Sequence, residues 1–201
     1  MLEQTQDYWD TRYSDGSASW DIGRPQPVFV RLADEGRLTG RLLDVGCGTG
    51  EHTLLAASRG ADATGIDMST VAIARARAKA AERGLTARFE VANLFDLGPL
   101  GLTPDTVIDS GVLHMWDDDD DLARYVASLA AVLRPAGRCF LACASDRHPG
   151  TWGPRRFRAD ELRAVFSDGW DVESITPHTF EIYPNHGTTR IHAWLAVITR
   201  K

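Results

Sequence analysis

Short apolar runs alternate along most of the chain with segments whose apolar side chains recur at helical spacing. The short runs predict strands at 41–45, 63–67, 87–92, 106–110, 138–144, 170–176 and 191–199. The segments between them predict helices at 51–59, 70–83 and 159–166, and another from the aspartate cluster at 117–121 to Leu133. Strands separated by helices form mostly parallel sheets. We therefore expect an α/β fold with helices on both faces of one sheet.

Residues 1–40 carry no strand pattern and are rich in aromatic side chains, including Tyr8, Trp9, Tyr13 and Trp20. We expect this segment to form a helical cap. Because parallel sheets bind ligands at the carboxyl ends of their strands, the cap is predicted to cover that edge. The aromatic residues either pack the cap onto the sheet or face a bound molecule, and one ring can do both.

The composition is typical of a globular protein, with 25% charged and 43% hydrophobic residues among 201. This length predicts a single domain (1–201). We expect a cap at 1–40, a core at 41–145, and a C-terminal part at 146–201 with strands on the substrate side. The net charge of −6 argues against a nucleic-acid partner. No apolar stretch approaches the roughly 20 residues of a membrane span, so no membrane partner is expected.

The three cysteines show no metal-ligand spacing. Cys139 and Cys143 lie in one apolar run, which predicts small core residues. The N-terminus is acidic and polar, unlike a signal peptide. These features favour a reducing cytoplasm as the compartment.

The most informative segment is Leu-Leu-Asp-Val-Gly-Cys-Gly-Thr-Gly at 42–50. An apolar strand ends at Asp44 and Val45, and glycines then follow at alternate positions, Gly46, Gly48 and Gly50. A turn with so few side chains lets a ligand approach the backbone and the first amides of the next helix. The spacing G-x-G-x-G differs from the G-x-G-x-x-G of dinucleotide-binding folds, which argues against a nicotinamide-dependent oxidoreductase.

Asp67 closes the second predicted strand. An acid at this place can accept hydrogen bonds from both ribose hydroxyls of a nucleoside. The alternative is that Asp67 caps the following helix, but Ser69 suits that role better.

The glycine turn resembles motif I of the class I S-adenosylmethionine (SAM) methyltransferases, and the segments 91–96, 105–114 and 132–138 resemble later parts of the same pattern, in order. The resemblance covers residues 41–145. It implies a Rossmann-like, seven-stranded sheet, SAM as cofactor, S-adenosylhomocysteine as product, and no metal. The implied cofactor-binding residues are Trp20, Arg24, Asp44, Gly46, Cys47, Gly48, Gly50, Asp67, Met68, Asn93, Leu94 and Ser110.

Several of these roles are specific. In the family, the acid at the position of Asp67 binds the ribose and the residue at Met68 often packs on adenine. Trp20 is predicted to cover the cofactor, and Arg24 to pair with its methionine carboxylate. Asn93 departs from the family pattern, which commonly has an aspartate that accepts from the adenine amino group. An amide oxygen can accept that bond; the alternatives are Asp96 in this role and a turn-forming amide at Asn93.

Methyl transfer from SAM is an in-line displacement that depends mainly on alignment. A base is needed only where the acceptor must lose a proton. His114, just beyond the fourth strand, is the candidate general base; the alternative is a histidine that only shapes the pocket. Trp116 forms either an apolar wall or part of the core. The candidate substrate-binding residues are Trp9, Tyr13, His114, Trp116 and Trp152.

Two charged clusters can each be explained by local structure. The aspartates at 117–121 precede a predicted helix, where acids favour the positive end of the helix dipole, so we expect a helix start and not a metal site. The arginines around Trp152 predict either a solvated loop or a flap over the acceptor.

The short length, the tryptophan-rich cap and the ending at 190–195 resemble a narrower group, the small bacterial methyltransferases related to thiopurine, thiol and halide methyltransferases, including those that act on quinones and heterocyclic toxins. This resemblance implies a small aromatic or heterocyclic acceptor, methylated on O, N or S, and a monomer or homodimer. A SAM-binding regulator or scaffold without catalysis stays open, because methyl transfer requires no particular catalytic side chain.

Overall fold

The computed structural model of the protein describes residues 5–151, 153–183 and 190–201. They form one seven-stranded sheet in the order β3-β2-β1-β4-β5-β7-β6, in which β7 is antiparallel to both of its neighbours. The predicted fold class is confirmed. The strands are β1 (Arg41–Val45), β2 (Asp62–Asp67), β3 (Arg88–Val91), β4 (Thr106–Ser110), β5 (Arg138–Ala144), β6 (Trp170–Glu181) and β7 (Arg190–Arg200).

Helices cover both faces of the sheet because alternate strand residues point to opposite sides. Leu43 packs in a core cluster with residues of α5 and α6, whereas Leu42 packs in a second cluster with residues of α2 and α3. The α-helices are α1 (Gln6–Ser14), α2 (Pro27–Asp34), α3 (Glu51–Ser58), α4 (Thr70–Glu82), α5 (Asp119–Val132) and α6 (Ala159–Val165). Short 3₁₀ helices occur at Gly98–Leu100 and Leu113–Met115.

Strand β6 continues past Thr176, where the sequence predicted that it ends, and reaches Glu181. The added part of the strand begins at Pro177, and proline cannot donate to a strand ladder. β6 is an edge strand of the sheet, and on an edge strand the missing N–H can face away from the neighbour. Pro177 accordingly keeps its place in the register, opposite Trp194.

The N-terminal cap is helical, as predicted, and is fastened at two places. Asp10 of α1 accepts hydrogen bonds from Ser69 Oγ at 2.6 Å, Thr70 Oγ1 at 2.8 Å and the Val71 amide at 3.1 Å, which places α1 on the start of α4. The Gln26 side chain exchanges two hydrogen bonds of 2.9 Å with the backbone of Glu181 at the end of β6. The cap is therefore joined to both halves of the sheet.

In the part of the chain that the structure describes, no helix has the length and apolar character needed to cross a membrane. Cys139 and Cys143 are fully buried in the core, as predicted, and both are free thiols.

The start of α3 depends on close packing at Gly50, which has φ +85°. A Cβ built there lies 2.8 Å from the Ala76 Cβ and 2.8 Å from the Phe89 ring. Gly60, at the other end of α3, has φ +89° and nothing within 4 Å of such a Cβ. A substitution at either glycine would therefore strain the backbone, but only at Gly50 would the new Cβ also lack room.

We expect Gly60→Ala to lower the free energy of unfolding by about 1–2 kcal/mol, the cost of a left-handed alanine. Gly50→Ala should cost at least about 2 kcal/mol more, because it also overpacks the contact with Phe89. Urea unfolding followed by circular dichroism measures both. Equal losses in the two variants would show that packing at Gly50 is not tight.

Candidate functional site

A cavity of about 870 Å³ lies at the carboxyl ends of β1, β2 and β4, beneath the cap. It brings most of the predicted site residues together. Asp44, Gly50 and Asn93 do not line it, and Trp152 lies outside the described residues. The predicted residues that line the cavity are Trp9, Tyr13, Trp20, Arg24, Gly46, Cys47, Gly48, Asp67, Met68, Leu94, Ser110, His114 and Trp116.

The glycine turn between β1 and α3 lines the cavity and has no room for a side chain at Gly46 or Gly48. A Cβ at Gly46 would lie 2.3 Å from Val112 Cγ2, and one at Gly48 would lie 2.7 Å from the Tyr13 hydroxyl. Both glycines have positive φ, +62° and +53°. The turn therefore presents its backbone to the cavity and packs directly against the cap.

Asp67 is held rigidly at the end of β2. One carboxylate oxygen accepts from the Gly48 amide at 2.9 Å and the other from the Ser69 amide at 2.8 Å. Burial raises the pKa of this carboxyl. Ser69 itself caps α4 by accepting from the Ala72 amide at 3.0 Å. Each Asp67 oxygen keeps a lone pair for a ligand hydroxyl, which fits the ribose role.

Asp44 lies behind the glycine turn, fully buried. One carboxylate oxygen accepts from Thr53 Oγ1 at 2.6 Å, and the other oxygen has no hydrogen-bond partner in the described residues. Burial, together with the charges of Asp67 and Asp109, raises the pKa of Asp44 to about 7. Three acids thus crowd the ends of adjacent strands. A positively charged ligand in the cavity would relieve their mutual repulsion.

Gly50 and Asn93 serve structure in this fold. Gly50 packs away from the cavity, against Phe89. The Asn93 side chain is exposed, and its oxygen accepts from the Phe95 amide at 3.0 Å. This is the turn-forming alternative named above, and the bond is typical of an Asx turn.

The cap contributes an aromatic cluster to the cavity. Trp20 Nε1 donates to the Tyr13 hydroxyl at 3.1 Å, and the Trp9 and Trp20 rings meet edge to face with centroids 5.7 Å apart. Burial raises the pKa of Tyr13 well above its usual range. These rings pack on one another and line the cavity, and their contact with a bound molecule stays a prediction.

Arg24 already has a partner in this structure. Its guanidinium lies 2.6 Å from a Glu181 carboxylate oxygen, and the other oxygen of Glu181 pairs with Arg190 at 3.0 Å.

Arg12 also lines the cavity, and the sequence analysis did not identify it. It donates to the Tyr8 hydroxyl at 3.1 Å. A lone arginine in a cap helix carries no motif that would have identified it.

His114 is held in place by the loop after β4. Asp109, fully buried, accepts from the Val112 amide at 2.7 Å, the Leu113 amide at 3.1 Å and the Tyr125 hydroxyl at 2.9 Å. Burial raises the pKa of Asp109 to about 6. The Ala144 amide donates to His114 Nδ1 at 2.9 Å. Burial lowers the pKa of His114 to about 4.

His52 is a second histidine of the cavity, and the sequence analysis did not identify it. The Gln26 amide donates to its Nε2 at 3.0 Å, and burial lowers the pKa of its ring to about 4. It follows Glu51 in the first turn of α3. The only available signal was its position just after the glycine turn.

Trp116 is both wall and core. It lines the cavity, and its ring packs against Phe95 and Tyr125 with centroid distances of 4.3 Å and 5.8 Å.

The aspartate run is a helix start, as predicted, because the Asp118 side chain accepts from the Asp120 and Asp121 amides. Within the described ranges, no group of three or more His, Cys, Asp or Glu side chains is arranged to hold a metal ion.

Comparison with known proteins gives one family match and several relatives. The methyltransferase domain family matches residues 42–137. A 2-heptyl-1-hydroxyquinolin-4(1H)-one methyltransferase of Mycobacteroides abscessus is 32% identical over 188 residues, covering 88% of this chain and 82% of that protein.

Solved structures match over nearly the whole chain. One described as the conversion of a disulfide bond into a thioacetal group during echinomycin biosynthesis is 36% identical, with a TM-score of 0.88 and coverage of 98% of this chain and 93% of that one. The magnesium protoporphyrin IX methyltransferase of Synechocystis PCC 6803 with bound S-adenosylhomocysteine has a TM-score of 0.74, 21% identity and 98% coverage of both chains. At that identity it supports the fold alone.

The raised pKa of Asp44 predicts a pH effect on stability. Its folded pKa of about 7 lies above the ordinary value of 3.8, so the folded state keeps a proton that the unfolded chain loses. Stability is then fully present below about pH 4 and falls as pH rises towards about 7. An asparagine at position 44 cannot ionise, so the Asp44→Asn variant should not lose stability in this way. Its amide oxygen can still accept the hydrogen bond from the Thr53 hydroxyl.

We compare the free energies of unfolding of Asp44→Asn and of the native chain, both without ligand. The difference should shift in favour of the variant by about 1–4 kcal/mol as the pH rises from about 4 to about 8. Thermal or urea unfolding at several pH values measures it. Asp62→Asn, at the exposed start of β2, is the matched control. A pH-independent difference for Asp44→Asn would mean that Asp44 is ionised in the fold throughout.

Proposed function

This chain belongs to the class I SAM-dependent methyltransferase family, and we propose that it methylates a small, flat, largely apolar acceptor on an oxygen, nitrogen or sulfur atom. The family and the relatives make it a SAM-dependent small-molecule methyltransferase. The acceptor class is the proposal.

One observation carries the proposal: the glycine turn, Asp67 and a set of aromatic side chains, called here the aromatic wall, line the same cavity. The wall includes Trp9, Trp116 and Phe180, with His114 among them. Flat rings suit an aromatic acceptor because they offer large apolar contact area. The Mycobacteroides abscessus relative, named for a hydroxyquinolone, and the relative whose structure concerns a disulfide support oxygen and sulfur acceptors.

We propose that the cofactor lies over the glycine turn at Gly46, Cys47 and Gly48. The rigid Asp67 carboxylate holds the ribose, and Met68 and Leu94 pack on the adenine. A cation close to the turn would favour the ionised forms of Asp44 and Asp67, the two carboxyls whose pKa burial raises. When bound, SAM supplies a methyl group on a positively charged sulfur that leaves as a neutral thioether.

The remaining cofactor contacts are also proposals. Ser110 at the end of β4 lies beneath the methionine part, and Trp20 covers the cofactor from the cap. Arg24 has an exposed fraction of 58%, so it can turn to a carboxylate at the cavity mouth in competition with Glu181. Gly50 supports the turn from behind. Asn93 stays a proposed acceptor for the adenine amino group, because its oxygen accepts one hydrogen bond in a turn and keeps a second lone pair.

We propose that no metal takes part, because the leaving group is already a good one and needs no Lewis acid. The whole chain 1–201 works as one domain, as a monomer or homodimer, on free small molecules in the cytoplasm. A net charge of −6 supports the absence of a nucleic-acid partner.

The ribose role of Asp67 predicts a loss of cofactor affinity on substitution. Asp67→Ala should weaken SAM binding at least about 10-fold, the effect of losing hydrogen bonds to a charged group. Isothermal titration measures it, with circular dichroism to confirm folding. Asp62→Ala, on the same strand but outside the cavity, should bind as the native chain does. Tight binding of NAD, or unchanged SAM affinity in Asp67→Ala, would contradict the assignment.

The acceptor class is tested by a methyl-consumption assay with hydroxyquinolones, phenols, thiols and aliphatic alcohols. We expect turnover of flat aromatic or heterocyclic acceptors, little of aliphatic alcohols, and no effect of EDTA. SAM binding without turnover of any acceptor would favour the alternative hypothesis, a SAM-binding regulator or scaffold without catalysis.

A further inference from the structure

The two histidines among the described cavity residues are both held by backbone amides. The Ala144 amide donates to His114 Nδ1, and the Gln26 amide donates to His52 Nε2. A backbone N–H is always a donor, so each of these nitrogens must present a lone pair. The proton of each neutral ring therefore sits on the other nitrogen.

For His114 that proton is on Nε2, which lies next to Gly111. A Cβ at Gly111 would come within 3.2 Å of Nε2, and both residues line the cavity. The Phe180 ring meets His114 edge to face at 5.9 Å. A nitrogen that already carries a proton cannot accept one. A charged imidazolium would direct Nδ1–H at the Ala144 N–H, so the geometry opposes protonation as well.

The other titratable groups of the cavity are also poorly suited to deprotonate an acceptor. Glu51 is paired with Lys79 and Arg83, and Glu181 with Arg24 and Arg190. Asp67 accepts from two amides. Asp21 accepts from Thr49 Oγ1, and Asp117 is exposed. The cations beside Glu51 and Glu181 outweigh burial and lower the pKa of both carboxyls, so both are weak bases for a phenol, whose pKa is about 10.

We propose that His114 is a fixed Nε2–H hydrogen-bond donor to an oxygen of the acceptor, and that the enzyme methylates acceptors that enter the cavity already ionised. This inference rests on the proposed function and narrows its acceptor class to acidic hydroxyl or thiol groups on flat rings. His114 then orients the acceptor and does not act as a base.

The positive charge of Arg12 supports an anionic acceptor. It lines the same cavity, it donates to the Tyr8 hydroxyl, and no carboxylate in the described ranges forms an ion pair with it. In the transfer, a lone pair of the anionic oxygen or sulfur forms the bond to the methyl carbon. The carbon–sulfonium bond breaks and its electron pair stays on sulfur. No proton is released, so no base is required.

The first test needs no acceptor. ¹⁵N NMR of the imidazole nitrogens, assigned by comparison with His114→Asn, reports the tautomer directly. We expect His114 to be neutral and protonated on Nε2 from about pH 5.5 to pH 8, below and above the ordinary histidine pKa of about 6.5. An Nδ1–H tautomer, or a charged ring at about pH 6, would overturn the proposal whatever the acceptor proves to be.

Two variants separate the donor from the structural bond. His114→Asn retains an oxygen for the Ala144 amide but has no donor at the Nε2 position, whereas His114→Gln places an amide N–H there. We expect kcat/KM for an ionised acceptor to fall about 10- to 100-fold in His114→Asn, the loss of one hydrogen bond to a charged group. His114→Gln should stay within about fivefold. Equal losses in both variants would contradict the donor role.

The pH dependence distinguishes an ionised acceptor from an enzyme base. With phenols that differ in a ring nitro group, the break in kcat/KM against pH should move with the acceptor's own pKa. It should be the same in the native chain and in His114→Gln. A break that stays in one place for every acceptor, and disappears in His114→Gln, would establish a base and reject the proposal. Absence of turnover with every acceptor would count against the proposed function, while the NMR result would still decide the tautomer.

Discussion

The carboxylate of Asp67 joins the parts of the molecule on which the site depends. It accepts one hydrogen bond from the glycine turn after β1 and another from the start of α4. That start of α4 is also where Asp10 fastens the cap. A single buried acid therefore aligns the turn, the second strand and the cap. Its remaining lone pairs face the place where a ribose is proposed to bind, so fold and ligand site use the same group.

Buried acids at the ends of β1, β2 and β4 have a cost. Asp44, Asp67 and Asp109 are all removed from water, and burial raises the pKa of each. Asp67 and Asp109 offset part of this cost through backbone amides, whereas one oxygen of Asp44 has no partner among the described residues. Functional sites commonly retain groups whose pKa burial perturbs, at some cost in stability.

The sequence was sufficient where the determinants are local. Strands β1, β4 and β5 have their predicted bounds, because each is a buried apolar run between clear turn signals. The glycine turn and Asp67 were found for the same reason. The partners of Arg24 and of the two cavity histidines could not be found in this way. Glu181, Gln26 and Ala144 are distant in sequence from the groups they bind, and only the sheet brings them together. For Asn93 the sequence left two roles open, and only the structure shows that its oxygen closes a turn.

The two cap helices are attached with very different strength. In α2, Val28, Phe29, Leu32 and Ala33 are buried in the core beside the sheet, whereas α1 buries Tyr13 alone. The free energy of local opening scales with the apolar contact that is lost. Separation of α1 would break the Asp10 hydrogen bonds and uncover Tyr13 and the half-buried Trp9, and would leave the core beside the sheet intact. Helix α1 should therefore open at a lower free energy than α2 and expose the cavity while the rest of the protein stays folded. Its amide hydrogens should exchange at a rate set by this local opening and not by global unfolding.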